Sequence, residues 1–117
     1  MLSVSGRVKI FLCRAATDMR KGFDSLAALV NEVLCEDPLS GHLFVFRSKR
    51  GDRLKILYWN THGYALWYTR LEQGTFRFPA IDEQQASVTI SAADLAMLLD
   101  GVDLASVRRG KRYRRGA

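Results

Sequence analysis

An α+β domain is predicted for this chain: a mostly antiparallel β-sheet (a meander) with one long helix packed on a face, a short C-terminal helix and a basic tail. Three observations predict it. Nine of the twelve aromatic residues lie within residues 43–79, in short apolar runs separated by polar turns, the pattern of a strand meander. Ahead of that stretch, Phe23, Leu26, Ala27, Val30, Val33 and Leu34 recur at spacings of three and four, which marks an amphipathic helix. All twelve acidic residues precede Ala105, and the twelve basic residues before Val107 balance them, so the net charge of +6 belongs to the last eleven residues.

The elements follow in order. Residues 1–7 carry no pattern. VKIFLC (8–13) is rich in strand formers and is the first expected strand. A polar connection over residues 14–22 leads to the helix, with Thr17 or Asp18 placed to cap a preceding turn and Asp24 favourable near the helix start. Pro38 disfavours helical geometry at Asp37 and ends the helix there. Residues 43–46 are continuously apolar, as in a strand covered on both faces. Lys49-Arg50-Gly51-Asp52 supplies a turn, and residues 54–59 form the next strand with alternating faces. Asn60-Thr61-His62-Gly63 turns the chain into a strand over 64–71. Gly74 breaks that run before an expected short strand at 75–78, closed by Pro79. SVTI (87–90) alternates like a strand. Ser91 and Asp94 form a capping-box pattern for a helix that buries Leu95, Leu98 and Leu99 and stops at Gly101. The body is expected as one domain over residues 1–106. The polybasic end, 107–117, is too charged to pack alone and is expected to be disordered.

The composition is that of a soluble globular protein, no window approaches the roughly 20 apolar residues of a membrane span, and a cytoplasmic protein is expected. Cys13 and Cys35 sit in apolar contexts and are expected as buried free thiols. No metal-ligand spacing, phosphate loop or cofactor motif occurs. Asp18, Asp24, Asp52, Asp82 and Glu83 show no spacing that gathers them, so no catalytic residue is assigned and a non-enzyme is expected.

Two basic features remain as candidate DNA contacts. Arg47, Lys49, Arg50, Arg53 and Lys55 surround one hairpin turn; they read either as phosphate contacts of a projecting ribbon or as a solvated sheet edge. Arg108, Arg109, Lys111, Arg112, Arg114 and Arg115 read as an electrostatic attachment to nucleic acid or as a solubilising end. Tyr58, Trp59, Tyr64, Trp67 and Tyr68 could stack on unpaired bases, but strand spacing favours a core role, above all for Trp59 and Trp67.

TDMRKGFDSLAALV (17–30), GHLFVFRSKRGDRLKILYWNTHGYALWYTRLEQGTFRFP (41–79) and SAADLAMLLDGVDL (91–104) together resemble the TnpB (Orf2-like) accessory protein of the IS sixty-six class of bacterial insertion sequences. The likeness spans residues 8–104 in order. One departure is Asn60, where the pattern has an aspartate after tyrosine–tryptophan. The resemblance implies a small non-catalytic factor encoded beside a transposase. Its implied partners are the transposase and other element-encoded proteins, while DNA is expected as a partner from the two basic features. No active site, metal or cofactor is carried over. Asp18, Arg20 and Lys21 belong to the signature. Asp18 is expected either to take backbone amides, with Arg20 paired to a carboxylate across the sheet, or to leave Arg20 and Lys21 facing DNA phosphate beside the hairpin.

Overall fold

The computed structural model describes residues 6–101. The expected domain limit at 106, the tail over 107–117 and residues 1–5 lie outside the described residues. The elements in chain order are β1 (Ile10–Cys13), α1 (Phe23–Glu32), β2 (Leu43–Arg47), β3 (Arg53–Trp59), β4 (Tyr64–Arg70), β5 (Ser87–Ile90) and α2 (Ala92–Leu99). The strands form one five-stranded sheet in the order β4-β3-β2-β1-β5.

The fold is α+β, and β2, β3 and β4 follow one another antiparallel through two hairpins. The sheet as a whole is mixed. β1 runs parallel to β2, with Ile10 opposite Leu43, and β5 closes antiparallel on the other side of β1. The physical reason lies in the connection: α1 carries the chain from β1 back over the sheet, so β2 starts at the same end as β1.

Strand alternation sorts the core into two faces. Phe11, Cys13, Phe44, Phe46 and Leu57 meet Leu26, Ala27, Val30 and Leu34 of the α1 segment. Ile10, Leu12, Leu43, Val45, Leu54 and Ile56 face the opposite way, against Leu95 and Leu98 of α2 and against Phe76. The sheet is therefore covered on both sides.

α1 spans ten residues and is not the long helix expected. Its last turn widens: the Leu34 N–H reaches Leu29 O at 3.1 Å, and the Glu36 N–H reaches Val30 O at 3.0 Å. Cys35 then takes a left-handed φ of 55°, which stops the helix two residues before Pro38 acts. At its start the Gly22 N–H donates to Ser25 Oγ at 3.0 Å. Phe23 and Val33, expected on the buried stripe, are 49% and 45% exposed. α2 has the anticipated capping box, Asp94 N–H to Ser91 Oγ at 3.0 Å, and Gly101 follows it at positive φ.

The expected strand at 75–78 does not form. Residues 71–86 instead run as irregular cover beneath the sheet. The Phe76 N–H donates to Gly51 O at 2.7 Å, and Phe76, Phe78 and Ile81 pack on the α2-side core. That apolar anchorage replaces a ladder. Both cysteines are free, but only Cys13 is buried; Cys35 is exposed. Burial raises the Cys13 thiol pKa, which keeps it protonated and unreactive. Among the described residues no helix is long and apolar enough to cross a membrane.

Candidate nucleic-acid interface

Two loops meet at one end of the sheet. The first is the β2–β3 connection. The Gly51 N–H donates to Ser48 O at 2.9 Å, which closes a turn with Lys49 and Arg50 at its two exposed corners. Ser48 Oγ accepts from the Arg53 N–H at 3.1 Å and donates to Asp52 Oδ1 at 3.3 Å. Gly51 has φ +82°, and a Cβ there would meet the Thr75 side chain at 3.2 Å. The tip is thus held in one shape from both sides.

The second loop joins β1 to α1. The buried Thr17 donates its N–H to Arg47 O at 2.9 Å. Asp18 accepts the Arg20 N–H at 2.9 Å and grips the same residue's guanidinium, with Arg20 Nη2 2.8 Å from Oδ2. The Arg20 guanidinium first, then its amide, pulls the Asp18 carboxyl down from 3.8 to about 2. Arg20 therefore pairs with a neighbour two residues away, not with a carboxylate across the sheet. Its side chain remains 91% exposed.

These loops enclose an open cleft of about 530 Å³ in which Arg20, Lys49, Arg50 and Arg53 stand against Asp18 and Asp52. A neighbouring depression of about 380 Å³ continues around the tip past Arg47 and Arg77. The two carboxylates share this cleft although sequence spacing gave no sign of it. Among the described residues, no group of three or more His, Cys, Asp or Glu could hold a metal ion.

The hairpin's five cations do not share one surface. Lys55 is 7% exposed. Its Nζ donates to Met19 O at 2.8 Å and Lys21 O at 2.7 Å, and lies 4.7 Å from the Tyr68 ring centre. Pleat parity explains this, because Lys55 points to the same face as Leu57, where α1 and its leading loop lie. Arg47 points to the other face. It donates to Phe76 O at 3.1 Å and stacks on Phe78 at 4.1 Å, and desolvation lowers its pKa. Lys49, Arg50 and Arg53 stay at the cleft. Lys21 does not line this cleft, and its carbonyl accepts from Lys55. Arg108, Arg109, Lys111, Arg112, Arg114 and Arg115 lie outside the described residues.

The aromatic residues also divide between faces. Tyr58 and Trp67 pack on the α2-side core, and Tyr64 on the α1-side core. Trp59 is half-buried and meets Tyr64 edge-on, ring centres 5.2 Å apart. Neither tryptophan is fully buried, and no single stacking platform exists among the five. For Lys55 the sequence carried only a strand-parity rule without a register; for Arg20, in a loop, no local pattern placed it in the cleft.

Comparison with known proteins agrees with this chain's signature. An uncharacterized protein of Sinorhizobium fredii, y4hO, is 41% identical over 103 residues, covering 88% of each chain. A second from the same organism, y4jC, is 36% identical over 109 residues, covering 93% of this chain and 92% of the relative. No solved structure matches. The model of the family described as IS66 Orf2 like protein matches residues 8–109, which takes in every element of the sheet and both helices, and the chain belongs to that insertion-sequence family.

Proposed function

We propose that this protein is a non-catalytic accessory factor of transposition that binds element DNA with Lys49, Arg50 and Arg53, supported by Arg20 and the basic tail. The observation that carries this reading is the convergence of those four cations on one open cleft at a pinned turn. Phosphate contact by such a group is sequence-independent and salt-sensitive. Arg47 and Lys55 are left out of the contact set because their charged ends are engaged within the fold and withdrawn from the surface, whereas the Arg20 guanidinium, paired with Asp18, stays open to solvent.

Fluorescence anisotropy tests it, with a duplex of the element's end and a scrambled duplex across a salt series. The full chain, a form ending at Ser106, and a Lys49→Ala/Arg50→Ala/Arg53→Ala variant are compared. Each lost phosphate contact flattens the log–log salt slope by about 0.9. Full binding by the triple variant lacking the tail sinks the reading.

A second reading, a protein-only adaptor that stabilises the transposase, is favoured by Phe23, Val33 and Leu39, each about half exposed around α1 and its exit. Large apolar side chains left open at a surface suit a protein partner. Co-purification with the transposase by a Phe23→Ser/Leu39→Ser variant, in the absence of DNA, separates the two.

A further inference from the structure

Among the described residues, the outer edge of β4 is the longer of the sheet's two unpaired strand edges. β4 has one neighbour, β3, and spans seven residues against four for β5 at the other edge. At the hairpin the Asn60 N–H bonds Gly63 O, and the register pairs Tyr58 with Ala65 and Ile56 with Trp67. Antiparallel alternation then turns the N–H and C=O of Ala65, Trp67 and Thr69 toward β3, and those of Tyr64, Leu66, Tyr68 and Arg70 outward. Those outward groups have no backbone partner among the described residues. The strand reads YALWYTR, with no proline, no lysine and no glycine to blunt it.

We propose that β4 pairs antiparallel with β4 of a second copy of this chain about a two-fold axis at Trp67, joining two five-stranded sheets into one. Centring on Trp67 sets Leu66 against Tyr68 and Tyr64 against Arg70, and it is the register that uses all four outward residues on each copy. The axis at Leu66 or at Tyr68 leaves one of them unmatched.

The ends of the strand are complementary under that symmetry. At one end Arg53 and Arg70 are direct cross-strand neighbours, a like-charge pair that weakens a sheet and that the exposed Glu72, 3.3 Å from Arg70, partly offsets. At the other end Tyr64 and Trp59 form an aromatic pair. Burial raises the Tyr64 hydroxyl pKa, and the carboxylates of Asp24 and Asp37 raise it further. An antiparallel self-pair brings each Arg70 to this aromatic and acidic end, where it gains cation–π and charge attraction. A parallel pairing would set arginine against arginine. This inference stands independently of DNA binding.

Sedimentation of the full chain across a dilution series, with hydrogen exchange followed by NMR at the same concentrations, tests it. The expected result is a reversible dimer in which the amides of Leu66 and Tyr68 gain protection as the dimer fills. Tyr68→Pro removes an outward donor and gives a monomer, with circular dichroism reporting the fold. Arg70→Glu, on an exposed side chain, weakens association about tenfold, and adding Asp24→Arg restores it. A monomer at every concentration overturns the proposal. So does a dimer whose Leu66 and Tyr68 amides exchange freely, or one that both variants leave intact. Protection that does not depend on concentration overturns it too, since the chain's own residues would then cover the edge.

Discussion

Lys49 and Lys55 sit six residues apart around the same hairpin and have opposite fates. Lys49 stands at an exposed turn corner on the cleft. Lys55 is buried, its ammonium held by two backbone carbonyls and a tyrosine face. Arg47 is a third case, half-buried and hooked onto the segment that covers the opposite face. The difference teaches that a cation near a basic turn is assigned by pleat parity and by what lies above each face. A buried ammonium is tolerable where fixed carbonyl oxygens replace its water. Lys55 thereby fastens the loop that carries Asp18 and Arg20 to the sheet.

Substitution at Lys55 breaks this comparison most sharply. Lys55→Met leaves two carbonyls without their donor and is expected to cost about 3 kcal/mol in urea unfolding. Lys49→Met is expected to stay within about 0.5 kcal/mol of the parent in the same measurement. Next comes Arg47→Ala, at about 2 kcal/mol, with faster proteolysis within residues 71–86; Arg47→Lys recovers little, since an ammonium cannot reproduce the stacked planar group. Gly51→Ala, at a left-handed φ and facing Thr75, is expected to cost about 1–2 kcal/mol. The smallest effect is at Asp18. Its folded pKa is lowered, so its stabilising contribution is complete above 3.8 and fades as pH falls from there to about 2. An NMR titration of the carboxyl carbon should find a midpoint near that lower value. Arg20→Ala should return it toward the ordinary range with little change in stability, because the pair is exposed.

Much of the fold was legible from local patterns. Apolar runs and turn residues located β1 to β5 and both helices, because those signals depend on the chain's own periodicity. The parallel β1–β2 pairing was readable in principle from the helix between them, since a helical crossover returns the chain in the same direction. The absent strand at 75–78 shows where composition misleads: Thr75 to Phe78 has strand-forming residues, but its aromatic side chains pack inward while the Phe76 N–H donates to Gly51 O and the Phe76 C=O accepts from Arg47, with no strand ladder. At the candidate site, Lys49, Arg50 and Arg53 were visible as charges. Their union with Arg20, and the withdrawal of Lys55, depend on contacts between residues some 30 positions apart. No local pattern encodes them.

The position of β1 has a consequence for how the chain is made. β1 emerges first from the ribosome, yet it lies inside the sheet, and its second neighbour is β5, where Ile10 meets Ile90. While the intervening residues are being translated, β1 can already pair with β2, but its other flank, with the apolar run IFLC, waits uncovered until residues 87–90 have been made. An arrested or prematurely terminated nascent chain would carry that open apolar flank, so translation pausing before Ser87 is a point of vulnerability for this fold.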